Sequence, residues 1–450
     1  MNVPSIRIFH NSAELKTFIA RSWSVSWPIT LIMFFEFLIN LTDVFIAGKI
    51  GKEVQAAYGF VTQIYFIFTV IGNALTVGTV SVISRLCTTT EEKLFADSIV
   101  SSVAASLFAG ILLGATGIVF TPVLFQMLNV PNAIKEYGQP LAVIYASALI
   151  FHYLLISTNG ILRSCKGIKK SLRTMAIVCL LNVGLNFLLV FHTSLGYKGI
   201  ALSTAISVLI GSLLNLWIVR SFFNSLRQVT WSIVKKITSI GWPSGLLQII
   251  WQLASMVLFI ILSALPENNI EIIAAFTNGL RIEAAIFLPA FAFNMANAVI
   301  VGNVLGERRK EDAFRAGLTT ASLGVLLIIF LSVVVLFNAK GIVTLLSNNE
   351  IVVRESVRYL YICLICEPIM AWGVILGGAL NGAGDTRSMM KIVALSVWLV
   401  RIPFAYVLGV VADWGVTAIW WSMNASLIAQ AFFITRRFYL RKWLPGDSEN

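Results

Sequence analysis

Three polar residues interrupt the first long apolar segment of the chain at helical spacing. Glu36, Asn40 and Asp43 stand in the run FFEFLINLTDVFIAG. Because they are four and three residues apart, an α-helix places them on one stripe. A carboxylate at the centre of a bilayer costs about 3 kcal/mol. We therefore expect these acids to have a function or a partner that offsets this cost.

Polar residues that could face Asp43 occur in two later apolar segments. Asn182 and Asn186 lie four residues apart in TMAIVCLLNVGLNFLLVF, and the following segment carries Thr204, Ser203 and Ser207 in ALSTAIS. One interpretation is that they only join helices by hydrogen bonds. Alternatively, a carboxylate in a low dielectric can exchange a proton, since burial penalises its charged form. A third possibility is Na⁺ held by carboxylate, amide and hydroxyl oxygens, and the sequence leaves H⁺ and Na⁺ open.

The composition is that of a membrane protein. Mean hydropathy is +0.86 and only 12% of the residues are charged, against about 25% in soluble domains. The net charge of +12 could indicate a nucleic-acid partner. We interpret it as a topology signal instead, because cytoplasmic loops accumulate Lys and Arg. The expected surroundings are membrane lipid, with no nucleic acid bound.

Long apolar runs predict twelve membrane spans. Their approximate limits are 22–47, 54–84, 95–122, 138–161, 174–192, 199–222, 238–265, 271–303, 314–338, 356–380, 388–412 and 414–436. With both termini placed in the cytoplasm, 24 of the 33 Lys and Arg lie on the inside and 7 on the outside. This asymmetry predicts a multi-pass protein with cytoplasmic termini.

The chain also repeats itself at a shift of 215 to 218 residues. Trp27-Pro28 recurs as Trp242-Pro243, AAYGFVTQI recurs as AAFTNGLRI, Leu162-Arg163 as Leu380-Asn381, and Gly199 matches Gly415. The predicted fold is all-α and polytopic, with two six-helix pseudo-symmetric bundles around a central cleft. The expected domains are residues 1–222 and 238–450, joined by a cytoplasmic linker at 223–237.

The repeat shows that the fold itself does not require the acids of the first segment. At the shift of 215, Asp43 corresponds to Leu258 and Glu36 corresponds to Trp251. A helix is expected at both places, yet only the first half carries carboxylates. Alternating access needs a cleft between two such halves, so the sequence favours a transporter.

The sequence lacks the motifs that are typical of enzymes and of nucleotide-driven pumps. The chain has no HExxH, and neither His152 nor His192 has a partner typical of a nucleophile, so no enzyme is predicted. It has no GxxxxGK[ST] loop for a nucleotide-driven pump. We expect neither a cofactor nor a bound metal apart from the coupling ion.

The order of motifs resembles the multidrug and toxic compound extrusion (MATE) transporters over nearly the whole chain. The similar stretches are LTDVFIAGKIG, ILRSCKGIKKSLRTMAIVCLLNVGLNFLLVF, LGYKGIALSTAIS, IGWPSGLLQII, NGLRIEAAIFLPAFAF, VGNVLGERR, GGALNGAGDTRSMMK and VRIPFAYVLG. The resemblance implies a monomeric antiporter in the bacterial inner membrane. It would export cationic or amphipathic organic compounds from the cytoplasm by alternating access, driven by H⁺ or Na⁺.

The chain looks most similar to the DinF-like branch, whose coupling acid lies in the first span. On that pattern the coupling and substrate site comprises Asp43, Glu36, Asn40, Asn182, Asn186 and Thr204. Any Na⁺ would lie at Asp43, Asn182, Asn186 and Thr204, and Pro28 matches a position where the first span bends. Members of this branch often carry a second acid where this chain has Asn186, which weakens a two-carboxylate cation site.

Further candidates come from the cavity and from another branch of the family. The NorM-like branch places acids in spans seven and ten. The secondary candidates are Met33, Gln63, Tyr65, Gln248, Gln252, Glu283 and Glu367. The alternative function is a lipid-linked oligosaccharide flippase, which usually has a cationic cavity. Only Arg281 and Arg401 lie within the predicted spans, so an antiporter is favoured.

Overall fold

Helices make up most of the chain, as the long apolar runs predict. The computed structural model describes residues 12–127, 130–222 and 228–444. The helices of the first repeat are α1 (Ser12–Ile50), α2 (Lys52–Leu86), α3 (Glu92–Met127), α4 (Asn132–Ser164), α5 (Ile168–Phe191) and α6 (Lys198–Val219), followed by a 3₁₀ turn at Arg220–Phe222. Each coincides with one of the first six predicted spans.

The second repeat is helical throughout but more irregular. Its helices are α7 (Trp231–Ser263), α8 (Asn269–Gly306), α9 (Lys310–Thr344), α10 (Glu350–Cys363), α11 (Glu367–Gly382), α12 (Thr386–Leu395), α13 (Ile402–Tyr406) and α14 (Gly415–Tyr439). Two π-helical turns, Ser396–Arg401 and Val407–Val411, flank α13. The stretch from Thr386 to Val411 thus forms the eleventh predicted span.

The described residues contain ten helices that are long and apolar enough to cross a membrane. An eleventh span is the pair α10 and α11, which bends by 56° at a short break. Helix α14 occupies the twelfth predicted position and is less apolar, because it carries Ser422, Asn424 and Ser426. All three are buried in the structure. The prediction of an all-α, multi-pass membrane protein is confirmed.

Contacts divide the chain into two compact units whose limits fall inside α1 and α7. The first-half unit is Leu31–Gly245, and the second-half unit is Met1–Thr30 with Leu246–Asn450. Each limit falls two residues after a repeated proline, Pro28 in α1 and Pro243 in α7. The two ends of each helix therefore belong to different units.

The predicted domain limits are those of the sequence repeat. They differ from the limits of the two compact units and stay a prediction. Residues 223–227 of the predicted linker lie outside the described residues. Helix α7 begins at Trp231, within the range predicted for that linker.

The two units have the same internal packing order. In the first-half unit, α4 packs against α2, α3 and α6, and α5 packs against α6. In the second-half unit, α11 packs in the same way against α8, α9 and α14. The duplicated sequence motifs therefore correspond to duplicated helix packing.

Small residues allow the closest helix contacts in the second-half unit. Gly378 and Gly382 form a GxxxG pattern on α11. A Cβ atom at either glycine would lie 2.1 Å from a carbonyl oxygen of α8, that of Asn294 or of Ala298 respectively. Because helices in lipid associate through such close backbone approach, these glycines help to hold α8 against α11.

Replacing Gly378 by Ala is therefore expected to destabilise the protein by about 1–3 kcal/mol through overpacking. Gly184→Ala is the matched control, since a Cβ there has nothing within 4 Å. The melting temperature of each variant is measured in detergent by heating samples and using size-exclusion chromatography to quantify the protein that has not aggregated. Equal melting temperatures for Gly378→Ala and Gly184→Ala would show that α8 and α11 do not touch in this way.

Candidate functional site

Asp43 lies on the buried stripe of α1 in the first-half unit. Ile32, Asp43 and Ile46 follow one another at helical spacing, and Asp43 is only 2% exposed. The stripe continues the apolar pattern that buries α1 against its neighbours. Asp43 therefore occupies a position where the fold would ordinarily place an aliphatic side chain.

Three side chains from three other helices donate hydrogen bonds to the Asp43 carboxylate. Asn186 Nδ2 of α5 donates to Oδ1 at 2.7 Å, and Thr204 Oγ1 of α6 donates to Oδ2 at 3.0 Å. The Tyr58 hydroxyl of α2 also reaches Oδ2, at 3.4 Å. These donors satisfy a carboxylate far from water and hold it in one orientation.

A second layer of hydrogen bonds orients the donors themselves. Asn182 Nδ2 donates to Thr204 Oγ1 at 3.0 Å, and its Oδ1 accepts from Asn186 Nδ2 at 3.2 Å. We call Asp43, Tyr58, Asn182, Asn186 and Thr204 the Asp43 cluster. It joins α1, α2, α5 and α6 through one carboxylate.

One acceptor in this cluster has no donor among the described residues. The Oδ1 atom of Asn186 is buried and accepts no hydrogen bond. A protonated carboxyl group needs such an acceptor, and a hard cation prefers oxygen ligands of this kind. The cluster therefore has the groups needed to stabilise Asp43 in either charge state.

The equivalent positions in the second repeat form an apolar core. Asp43, Tyr58 and Thr204 correspond to Leu258, Phe276 and Trp420 at shifts of 215, 218 and 216. These three side chains are at most 1% exposed, and the Phe276 and Trp420 rings stack at 5.5 Å. At these three positions the second repeat has neither a carboxylate nor a hydroxyl group, so the helix packing does not itself require Asp43, Tyr58 or Thr204.

The structure brings together most of the predicted principal site and adds Tyr58. Asn182, Asn186 and Thr204 lie beside Asp43, as the sequence predicts. Tyr58 was missed, although its motif AAYGFVTQI was recognised as a repeat. The hydroxyl that distinguishes Tyr58 from Phe276 was the available signal.

Two predicted members of the stripe lie outside the cluster. Asn40 is exposed and donates to the main-chain oxygen of Glu36 at 2.9 Å. The Glu36 side chain is exposed as well. Neither residue has a described hydrogen bond to Asp43.

The secondary candidates do not join the Asp43 cluster either. Met33, Tyr65 and Gln248 are half-buried, whereas Gln63 and Gln252 are exposed. Tyr65 packs against Tyr145, with ring centroids 5.1 Å apart, and Tyr145 in turn packs against Tyr58. Tyr65 therefore reaches the cluster only through a chain of aromatic rings.

Glu283 and Glu367 are both buried in the second-half unit, at 5% and 1% exposure. The Arg401 guanidinium is 3% exposed, donates to Ser426 at 2.9 Å and lies 4.7 Å from the Trp251 ring centroid. The Arg401 side chain therefore already contacts other side chains of the protein.

Comparison with known proteins finds one family model and several relatives that match most of the chain. The model of the MatE family matches residues 28–188 and 243–407, one match in each repeat. A transporter of Bacillus subtilis named YisQ is 21% identical over 94% of both chains. A probable multidrug resistance protein NorM of Thermotoga maritima is 21% identical over 91% of this chain and 89% of its own.

Solved structures share the fold. A MOP superfamily transporter from Pyrococcus furiosus superposes with a TM-score of 0.87 at 20% identity, covering 95% of this chain and 96% of its own. The Vibrio cholerae MATE transporter VcmN in its bent form gives a TM-score of 0.87 at 17% identity, covering 96% and 98%. These likenesses establish the arrangement of helices.

Proposed function

The chain belongs to the MatE family of transporters, and from this premise we propose that it exports organic compounds in exchange for H⁺ or Na⁺. It is a transporter rather than an enzyme. Relatives named multidrug resistance proteins support small organic substrates, of cationic or amphipathic character. The observation that carries the exchange is the Asp43 cluster, a buried carboxylate ringed by donors from three helices.

The cluster supports coupling because its charge state affects several helices at once. When Asp43 is ionised, donors from α2, α5 and α6 point at one carboxylate. Protonation or a bound Na⁺ removes that charge and requires the donors to rearrange. A substrate and an ion that favour different arrangements of these helices lower each other's affinity. During alternating access, this coupling allows the substrate to be exchanged for the ion.

Flippase activity is the weaker alternative. A pyrophosphate-binding cavity needs cationic side chains that are available to the ligand. Arg401 is buried against Ser426 and Trp251, as described above. Arg281 is exposed but stands two residues before Glu283. The two arginines within the spans thus give little support for an anionic substrate.

The proposed setting follows the charge asymmetry of the loops. We place the protein in a bacterial inner membrane as a monomer, with both termini in the cytoplasm. Assignment to the DinF-like branch also stays a proposal, supported by the position of Asp43 in the first span.

Reconstituted vesicles provide the test of the exchange. Purified protein in proteoliposomes is expected to transport ethidium, a cationic dye, only when an opposing H⁺ or Na⁺ gradient is imposed. Each gradient is applied alone so that the coupling ion is identified. Dye movement of the same rate with neither gradient would contradict antiport.

A further inference from the structure

A polar cavity of about 180 Å³ lies in the second-half unit, between the start of α1 and the junction of α8 with α9. Pockets for drug-sized ligands enclose about 300–1,000 Å³, so this cavity is too small for such a compound. Its lining consists of Glu14, Thr17, Phe18 and Arg21 of α1, Val304 of α8, Arg309 of the junction and Asp312 of α9. Two acids and two arginines suit a small ligand that carries both charges.

Ion pairs surround this cavity and join α1 to α9. We call Glu14, Arg21, Glu307, Arg309, Asp312 and Arg315 the ion-pair belt.

The contacts within the ion-pair belt differ in length. Arg315 Nη1 lies 2.6 Å from Glu14 Oε1, and Arg309 Nη2 lies 2.5 Å from Asp312 Oδ2. In contrast, Arg21 lies 3.6 Å from Glu307, and Arg315 lies 3.6 Å from Asp312 Oδ1. Hydrogen bonds between N–H and oxygen are usually no longer than about 3.2 Å. Arg21 and Asp312 Oδ1, which both line the cavity, are therefore the members of the belt that can most readily accept a ligand.

The other repeat holds the corresponding helix end by different contacts. The four charged residues of the cavity correspond to Val229, Lys236, Glu91 and Leu94 at the shifts of 215 and 218. There the start of α7 is held by an apolar cluster in which Ile233 and Ile237 pack with Val82 of α2. Apolar packing is thus sufficient to hold a helix end at this place, which indicates that the ion-pair belt has a role beyond packing.

Exposed apolar side chains of α1 indicate that the cavity lies at the membrane surface. Ile19 and Trp23 are both exposed, and they stand two residues before and two residues after Arg21. Tryptophan is enriched where lipid headgroups meet the hydrocarbon core. The charge asymmetry of the loops predicts that this end of α1 is cytoplasmic. The cavity is then at the height of the headgroups of the cytoplasmic leaflet.

We propose that this cavity binds the headgroup of phosphatidylethanolamine. The phosphate accepts hydrogen bonds from Arg21 and Arg309, because a guanidinium group matches the geometry of phosphate oxygens. The primary ammonium group donates to Glu14 and Asp312, since an ionised carboxylate only accepts. The headgroup adds no net charge to the cavity, and the acyl chains lie on the side of Trp23. The inference does not depend on the exchange of ions proposed above.

Melting temperatures in detergent at increasing lipid concentration test the proposal, because a ligand that binds the folded state stabilises it. Phosphatidylethanolamine is expected to raise the melting temperature until the site is saturated. Phosphatidylcholine has no N–H donor and phosphatidylglycerol has no cation, so each is expected to bind at least tenfold more weakly. Equal stabilisation by all three lipids would overturn the proposal, since lipid would then act only on the apolar surface.

Variants of the two arginines locate the site. Arg21→Gln and Arg309→Gln are each expected to weaken the binding of phosphatidylethanolamine at least tenfold. Lys16→Gln and Arg308→Gln are the matched controls, because they remove exposed charges nearby that do not line the cavity. Arg21→Gln breaks only a long ion pair, so this variant is expected to stay folded and monodisperse. Wild-type affinity in folded Arg21→Gln and Arg309→Gln proteins would overturn the proposal.

Soluble phosphoethanolamine distinguishes a lipid from a small molecule of the cytoplasm. It carries the same two charges without acyl chains, and it is added to protein in detergent that contains no phosphatidylethanolamine. We expect it to bind at least a hundredfold more weakly than the lipid, because it has no chains to pack beside α1. Equal affinity for the soluble compound and the lipid would overturn the assignment of the cavity to a membrane lipid.

Discussion

Asp43→Asn is expected to abolish gradient-driven efflux while leaving the protein folded. An amide fills the same space and can still accept a hydrogen bond from Asn186 or Thr204. It cannot carry an exchangeable proton or the charge that attracts Na⁺. One charge moving through about 150 mV releases roughly 3.5 kcal/mol. This supports a substrate gradient of roughly 300-fold, which the variant is expected to lose entirely.

Dye efflux from proteoliposomes measures this loss, once size-exclusion chromatography has shown monodisperse protein. Glu367→Gln is the matched control, because it removes another buried carboxylate that lies outside the Asp43 cluster. That variant is expected to keep gradient-driven transport. Normal efflux by Asp43→Asn would show that Asp43 is structural, and Glu36 and Glu367 would then be the next candidates for coupling.

Asn186→Asp is expected to increase Na⁺ affinity about tenfold or more. The substitution places a second carboxylate within hydrogen-bond distance of Asp43 Oδ1. Two carboxylates at this separation repel each other unless a proton or a cation lies between them. Asn182 and Thr204 supply further oxygen atoms for such an ion. Thermal unfolding at increasing Na⁺ concentration measures the change, because a ligand that binds the folded state stabilises it.

The double variant Asp43→Asn with Asn186→Asp provides the control for this prediction. It has one carboxylate and one amide, as the wild-type protein has, but with their positions exchanged. We expect it to show no gain in stabilisation by Na⁺. An equal response in the single and the double variant would mean that Na⁺ binds away from the Asp43 cluster.

Hydropathy and charge predicted the positions of the helices but not their irregularities. The tenth span was predicted as one helix over 356–380, whereas the structure breaks it between Cys363 and Glu367. Pro368 lies in the first turn of α11 and has no N–H to continue the hydrogen bonds of α10. The π-helical turns around α13 flank Pro403 in the same way. The length of an apolar segment indicates whether the segment can span the membrane. It does not indicate where the helical hydrogen-bond pattern breaks or changes within the span.

The candidate site could be predicted where polar residues interrupt apolar segments. Asp43, Asn182, Asn186 and Thr204 were found in this way, and the structure places them in contact. Spacing along one helix was less informative, since Asn40 shares the stripe but bonds to its own main chain. Tyr58 gave no signal by itself, because a tyrosine in an apolar segment usually contributes to packing. Comparison with Phe276 in the second repeat provides that signal.

The most direct test of coupling at Asp43 is tetraphenylphosphonium binding measured over a range of pH and, separately, of Na⁺ concentration. Wild-type affinity is expected to fall as one of these two ions increases, by up to about tenfold for each tenfold rise, since substrate and ion exchange at linked sites. Binding to folded Asp43→Asn protein is expected to depend on neither ion. The same ion dependence in the variant as in the wild-type protein would contradict the assignment of coupling to Asp43.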